Sequence, residues 1–421
     1  MTEWSEDKLD NSQLSAVLSE EPYIIVEAPA GSGKTHTAIY AIANYHNHHP
    51  DDKICFITFT RAAKAEMESR LIELGVTNVE VSTIHVWART RIEDLSKFYG
   101  FQIEILDKPQ IISILEDLIA KSTYKIKVKP EILYSYVTGN KKMDVTEEYR
   151  RTLNRYNDKY IEYKRRNCLY DFTDYPLYLY DKLVEYSEII NDIDALFVDE
   201  LQDVDAEQSK IFELVKSKKK FYIGDKKQCI YEFRGASEEV FESYKENKDF
   251  EWFGLKYNYR SYQEIIDYAT TVYLNLKEQA EYGDECYITQ IDWTEPSSIC
   301  CSRGYGGKVM VINPFGESYY FKDCAKHYAG TNEQLQSIIA TNPIILCRTN
   351  KQVRAVQELG FTNSTTVHQA KGLEYDNVIV IDHTISSLED LNIAYVAMTR
   401  AKDNLLIINW NQFISWLEDL K

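Results

Sequence analysis

The segment "EAPAGSGKTHTA" (residues 27–38) sets two glycines, a lysine and a threonine at fixed spacing between a strand-like and a helix-like run. Gly31 and Gly33 let backbone N–H groups turn inward around an anion. Lys34 can reach terminal phosphate oxygens, and Thr35 can offer its hydroxyl to magnesium. The usual first glycine of such a loop is Ala28 here, a mild departure, because the two glycines nearest the lysine carry the tight turn. Further on, "LFVDELQD" (196–203) ends an apolar run on Asp199 and Glu200. Asp199 suits Mg²⁺ held through water, and Glu200 suits polarising an attacking water. An Asp-Glu pair alone also fits a capped helix start; the preceding strand and the phosphate loop favour catalysis. Gln13, just before the loop's strand, carries an amide able to read adenine N6 and N7 together, although taken alone it reads as a surface glutamine. A fourth cluster, "YIGDKKQCIYEFRGAS" (222–237), packs Gln228, Tyr231, Phe233 and Arg234 into seven residues, as if one end met a nucleotide and the other something flat and anionic.

These residues need elements to position them. Short apolar runs recur at 23–29, 53–60, 194–200 and 219–225, and again at 343–350, 376–382 and 403–409. Most are too uniformly apolar for half-exposed strands, so they read as central strands of parallel sheets covered on both faces. Helical segments alternate with them, which predicts an α/β fold built from two successive sheets. The expected organisation is a first lobe (1–88 and 171–256), interrupted by a helical insert (89–170), and a second lobe (257–421). An interruption of that length reads as a small helical subdomain rather than a loop.

Composition bounds the rest. The 421 residues are 44% apolar and 27% charged, ordinary for a globular chain of two or three domains. No run is long enough for a membrane helix, and the polar, acidic N-terminus is not a signal peptide. The eight cysteines show no C-x-x-C pair and no zinc spacing, Cys300 and Cys301 read as reduced thiols, and "HNHHP" (46–50) reads as a polar loop. A reducing cytoplasmic setting is expected, that of a host cell if a virus or mobile element encodes the chain. The net charge of −18 argues against a nucleic-acid partner, but residues 121–166 hold thirteen Lys and Arg against six Asp and Glu. That stretch reads either as a solvated basic helix pair or as a phosphate-facing arm, and charge alone does not choose.

Eleven segments, in order over nearly the whole chain, resemble a superfamily 1 helicase of the UvrD/Rep type. They are "LDNSQ", "APAGSGKT", "TFTRAAKAEM", "STIHVWA", "DFTDY", "FVDELQDVDAEQ", "IGDKKQCIYEFRGA", "LKYNYRS", "ILCRTN", "TTVHQAKGLE" and "AYVAMTRAK". The resemblance implies two RecA-like lobes of the P-loop NTPase kind, ATP and Mg²⁺ in the cleft between them, and 3′-to-5′ movement on single-stranded DNA. It implies ATP contacts from Gln13, Ala30, Gly31, Ser32, Gly33 and Lys34. Thr35, His36, Tyr259, Arg260, Glu374 and Arg400 complete the set, with Thr35 and Asp199 on the metal. Lys34, Glu200, Gln228, Arg260 and Arg400 take the catalytic roles: Gln228 senses the γ-phosphate, and the two arginines reach it from the second lobe. DNA contacts are implied for Phe59, Arg61, Thr83, His85, Tyr231, Phe233, Arg234, Thr366 and His368. Core packing stays open for Tyr231 or Phe233 individually.

The pattern also departs from the family. Family members carry a bulky insert, the 2B domain, between the segments matching "ILCRTN" and "HQAKGLE"; here fifteen residues separate Asn350 from Thr366, so that domain is expected to be absent. No C-terminal nuclease of the kind some relatives carry is expected. Lys226 and Lys227 stand where acidic residues are common, and Phe233 where tryptophan is. The expected activity is an ATP-dependent single-stranded DNA translocase and helicase acting on DNA forks, with a protein partner left open and no membrane partner. The alternative is a regulatory or loading DNA-binding protein whose DNA-stimulated ATPase drives no productive unwinding.

Overall fold

Apolar runs bounded by polar, functional-looking residues become the centres of two sheets. A computed structural model describes residues 5–139, 145–231, 238–312, 318–322, 325–328, 337 and 340–419. Strands β1 (Tyr23–Glu27), β2 (Ile54–Thr58), β3 (Val79–Thr83), β4 (Ala195–Val198), β5 (Lys219–Gly224) and β6 (Glu251–Gly254) form the first sheet, in the order β3-β2-β4-β5-β1-β6. Every pairing in it is parallel. Side chains alternate between two cores: Ile24, Val26 and Phe56 face one helix layer, while Ile25, Cys55 and Ile57 face the other. Burial on both faces is why these strands carry no polar alternation. The edge strands β3 and β6 are partly exposed, and their mixed sequences, "VEVST" and "EWFG", hide them from an apolar-run criterion.

After a short parallel ribbon of β7 (Tyr257–Asn258) and β8 (Cys300–Cys301), the chain builds its second sheet. It comprises β9 (Lys308–Ile312), β10 (Ser318–Lys322), β11 (Ala325–Tyr328), β12 (Ile344–Cys347), β13 (Ser364–Thr366), β14 (Tyr375–Asp382) and β15 (Ala401–Asn409). The order is β11-β10-β9-β15-β14-β12-β13. From β9 to β13 the pairing is parallel, and Val378 and Val380 face one core while Ile379 and Ile381 face the other. The expectation of purely parallel sheets needs one addition here. β10 and β11 pair antiparallel on the β9 edge, since the short connections between these strands suit hairpins rather than crossovers.

The helical insert has its own core. Helices Lys108–Ala120, Pro130–Val137 and Glu147–Arg166 enclose Ile111, Leu115, Leu133, Tyr136, Leu153, Tyr156 and Tyr160. The boundary expected at residue 89 falls inside helix Ile84–Tyr99, whose Trp87, Ala88 and Ile92 pack in the first lobe's core. The separate core therefore begins later, near Leu106. Among the described residues no helix is long and apolar enough to cross a membrane, and no cluster of three or more His, Cys, Asp or Glu side chains could hold a metal ion. None of the seven described cysteines is in a disulfide.

One buried ion cluster fastens the insert to the lobe. The ammonium of Lys164, near the end of helix Glu147–Arg166, reaches Asp171 at 2.8 Å and Asp174 at 2.5 Å, and Tyr160 donates to the same Asp171 at 2.9 Å. Asp171 is fully buried and also caps the turn Phe172–Asp174. Burial pushes the Asp174 carboxyl above its usual range despite the facing ammonium. Removing the cation would leave two carboxylates poorly solvated. Lys164→Ala is therefore expected to cost about 3–5 kcal/mol, measured by urea unfolding of the whole chain. Pairing it with Asp171→Asn should recover part of the loss.

Candidate functional site

The phosphate loop connects β1 to helix Lys34–His48 as its spacing requires. Gly31 and Gly33 have φ of +72° and +80°, the left-handed region that glycine tolerates. Gly31 is also a point of close approach: a Cβ there would lie 2.6 Å from Asn258 Nδ2. That amide donates to the Ala30 carbonyl at 2.6 Å, and the Tyr259 N–H donates to Gly31 O at 2.8 Å. The segment 257–262 thus holds the loop from the second-lobe side. Gln13 works on the same loop from within the first lobe. It is 1% exposed, and its Nε2 donates to the Ser32 carbonyl at 3.0 Å while its Oε1 accepts from Asp10 N. In this state its amide shapes the loop rather than an open pocket. Asp10 in turn accepts from the Tyr259 hydroxyl at 2.6 Å.

Behind the loop, Asp199 and Glu200 leave the end of β4 into the interior. Thr35 Oγ1 lies 3.4 Å from Asp199 Oδ2, so a hydroxyl and a carboxylate converge as hard oxygen donors. Burial, then the neighbouring Glu200 charge, raise the Asp199 pKa, so the site has the negative charge in want of a cation that Mg²⁺ would satisfy. Burial also acts to raise Glu200, but Lys34, Lys371 and Arg400 outweigh it and hold that carboxyl ionised. Glu200 has φ +53°, a left-handed conformation costly for a side chain with a Cβ.

A chain of amides and carboxylates runs from Glu200 to the second lobe. Gln202 donates to Glu200 and accepts from the Asp225 N–H at 2.9 Å. Asp225 Oδ2 accepts from Gln228 Nε2 at 2.7 Å, and Gln228 Oε1 accepts from Arg400 Nη2 at 3.4 Å. Arg400, 1% exposed, also donates to the carbonyls of Val396 and Leu373. Burial, then the charge of nearby Arg260, lower its pKa to about 9. Arg260 pairs with Glu374 at 2.9 Å and donates to Thr399 O at 3.0 Å. Arg260 also faces the cavity between the lobes, whereas Arg400 lies buried behind it. That cavity is about 480 Å³, with Gly31, Gly33, Tyr259, Arg260 and Glu374 among its walls.

Lys371 was named by no expectation, although it stands in "HQAKGLE". Its ammonium reaches both Asp203 oxygens, at 2.8 and 2.6 Å, and the Gln228 carbonyl at 2.9 Å, joining the lobes. Lys227 lies over the second-lobe rings of Tyr273 and Tyr395, at 5.0 and 5.4 Å, while Lys226 pairs with Glu242. Gln202, Asp203, Asp225 and Asn258 likewise lie inside quoted motifs, where their polarity among buried neighbours was the available signal.

The residues matched to DNA contacts partly converge. Phe59 stacks on Tyr231 at 5.8 Å and 18°, Tyr231 lies 6.1 Å from His368, and the Lys371 ammonium sits 4.7 Å above the Tyr231 ring. A groove of about 1120 Å³ between the insert and the first lobe is lined by Phe59, Arg61, His85, Arg89 and Lys164, among others. Thr83 ends β3 just before that groove, and Thr366 caps helix Val367–Ala370 beside His368. Phe233 and Arg234 lie outside the described residues. His36 does not line the cavity of about 480 Å³; its ring is held by Lys8 O at 3.1 Å and Arg70 at 2.9 Å.

A phosphate loop on one parallel sheet, closed by arginines from a second, defines a two-lobed protein with RecA-like P-loop architecture. Residues 9–249 match the UvrD/REP helicase N-terminal domain, and residues 363–408 the UvrD-like helicase C-terminal domain. The chain belongs to the UvrD/REP helicase family. It is 29% identical to the ATP-dependent DNA helicase Rep of Buchnera aphidicola, over 79% of this chain and 51% of that protein. It is 24% identical to a probable DNA helicase of Mycoplasma pneumoniae, over 96% and 83%. With the ATP-dependent DNA helicase PcrA of Bacillus subtilis it shares 26%, over 83% and 48%. The chain thus spans about half the length of the Buchnera and Bacillus relatives.

The charge balance of the cleft makes a binding prediction. A non-hydrolysable ATP analogue with Mg²⁺, at about 100 times its Kd, should stabilise the chain by roughly 2.7 kcal/mol. Differential scanning calorimetry should show the rise, and Lys34→Ala should remove most of it.

Proposed function

We propose that this chain is an ATP- and Mg²⁺-dependent motor that moves along single-stranded DNA, in the 3′-to-5′ direction, and opens duplex at forks. The observation that carries the reading is the continuous bonded path from Glu200 through Gln202, Asp225 and Gln228 to Arg400. Three residues beyond Gln228 the same segment presents Tyr231 to Phe59 and His368.

In this reading the N–H groups of the loop and Lys34 bind the phosphates, and Glu200 takes a proton from the attacking water. Arg260 and Arg400 counter the charge that spreads over the transferring phosphoryl oxygens. Thr35 and Asp199 would hold Mg²⁺, which when bound adds neutralising charge beside the phosphates. Gln228 lies between hydrolysis and strand grip, so a change of partner at its amide shifts the Tyr231 platform. Bases stack on such rings at about 1–3 kcal/mol each, whatever the sequence. The proposed organisation is a first lobe carrying the phosphate loop, a helical insert from about Leu106 to Tyr170, and a second lobe from Tyr257 onward, without a 2B domain. In support of the last point, one helix, Asn350–Glu358, and β13 fill the space between Asn350 and Thr366. The same feature favours the second reading, a DNA-stimulated ATPase that loads or regulates without productive unwinding. A strand-displacement assay beside a translocation assay separates the two.

ATP hydrolysis should be slow alone and strongly stimulated by single-stranded DNA. Arg260→Ala and Arg400→Ala should each lower the stimulated rate by roughly a thousandfold, with a much smaller effect on ATP affinity. Equal rates with and without DNA would count against a motor.

Two substitutions probe the DNA path. Tyr231→Ala should weaken single-strand binding by about 1–3 kcal/mol on any sequence, read by fluorescence anisotropy. Lys125, Lys127 and Lys129 are all exposed on the basic insert. Reversing the three charges should flatten the plot of log affinity against log salt by roughly two units on forked DNA. A wild-type slope would leave them a solvated surface.

A further inference from the structure

One wall of the nucleotide cavity holds a cation outside all eleven motif segments, Arg303. It follows β8, whose Cys300 and Cys301 pair with Tyr257 and Asn258. Its Nη1 donates to two carbonyls, Arg260 O at 3.0 Å and Lys402 O at 3.1 Å. Nη2 donates to the Asp403 carboxylate at 2.6 Å. The guanidinium carbon lies 3.9 Å from the centre of the Tyr262 ring. The group is held on its edges by hydrogen bonds and on its face by an aromatic ring, so little freedom remains.

The two carbonyls belong to the two segments that deliver the arginines of the cleft. One is Arg260's own, and the other lies two residues after Arg400. These segments come from distant parts of the chain and carry like charges in a buried space, where each cation disfavours the other. Direct bonds between them exist: Ser261 Oγ donates to Ala401 O at 2.6 Å, and Tyr262 N to Lys402 O at 3.1 Å. Arg303 adds a bridge with a fixed fork, while Asp403 balances its charge. The segment bearing Arg303 is itself anchored. Gln263 Oε1 accepts from Cys301 N at 2.7 Å, and the Glu264 carboxylate accepts from Gly306 N and Gly307 N.

We infer that Arg303 is a positioning residue that fixes the spacing of Arg260 and Arg400, so that both meet the transferring phosphoryl group together. The inference rests on the proposed ATP hydrolysis. Its effect falls on rate rather than binding, because a misplaced finger still attracts the nucleotide but no longer matches the transition state.

The test is steady-state, DNA-stimulated ATP hydrolysis by the full chain. It compares wild type, Arg303→Ala, Arg303→Lys, Arg260→Ala and the Arg303→Ala/Arg260→Ala double variant. Arg303→Ala should lower kcat about ten- to a hundredfold, with KM for ATP and the thermal midpoint near wild type. Arg303→Lys should recover part of the rate, since an ammonium can bridge two carbonyls but lacks the flat fork. In the Arg260→Ala background the further loss should nearly vanish, because one of the two positioned groups is gone. An unchanged kcat in Arg303→Ala, a rise in KM alone, or losses that multiply in the double variant would overturn the inference. Should Arg303→Ala not fold, Arg303→Gln and Arg303→Lys carry the same comparison. A lost rate in Arg260→Ala with none in Arg303→Ala sinks the positioning role alone. A wild-type rate in Arg260→Ala removes Arg260 from the site and this inference with it, whereas absence of DNA-stimulated hydrolysis by the wild type sinks the hydrolysis reading itself.

Discussion

Buried charge that no single lobe can balance is the constraint on which this structure depends. Asp199, Glu200 and Asp203 leave the first sheet into an interior where ionised carboxylates are costly, and Arg400 and Lys371 enter from the second. The ammonium of Lys371 on Asp203 satisfies one pair directly. Among the described residues, Asp199 and Arg400 stay buried without an ion partner of opposite sign in direct contact, while Arg260 lines the cavity between the lobes and pairs with Glu374. A polyanion between the lobes would balance the arginines of the second lobe, and a cation bound with it would balance the carboxylates of the first. Differential affinity between states is what a nucleotide-driven conformational cycle requires.

The two sheets meet this constraint with different edges. In the first, the loops that follow β1, β2, β4 and β5 carry the phosphate loop, Phe59, Asp199 and Gln228 respectively. All leave the carboxyl ends of parallel strands, where open α/β sheets bind ligands. In the second, Glu374 and Arg400 stand just before β14 and β15, so it is the amino ends of those strands that face the cavity. Parallel pairing keeps each set of termini on one edge. A one-sided array of loops follows from topology, and the cleft follows from setting two such edges face to face.

In the proposed motor, hydrolysis and strand grip would be linked by sequence proximity as much as by contact. Gln228 and Tyr231 are three residues apart on one short segment. Lys371 touches both ends, bonding the Gln228 carbonyl and lying over the Tyr231 ring. The insert is coupled differently, through Lys164 buried against Asp171 and Asp174. Lys164 and Asp174 line the same groove as Phe59, Arg61 and His85.

Much of this was legible in the sequence, for local reasons. Gly31, Gly33, Lys34 and Thr35 act within one turn, so their spacing alone defines a phosphate loop. Strands buried on both faces, such as "IIV" in β1 and "ALFV" in β4, announce themselves by lacking polar alternation. Edge strands escaped because β3 and β6 keep one side in solvent, and the β10–β11 hairpin because its pairing is set by neighbours rather than pattern. Helix Ile84–Tyr99, which spans the boundary expected at residue 89, is amphipathic toward whichever core receives it, and Trp87 packs in the first lobe's core. Gln13 was identified by type, yet its bond to Ser32 O depends on where helix Asn11–Leu18 rests against the loop. Arg303 carried no signal at all. Its part depends on two carbonyls, about forty and a hundred residues away in sequence, that only the folded chain brings within reach of one guanidinium.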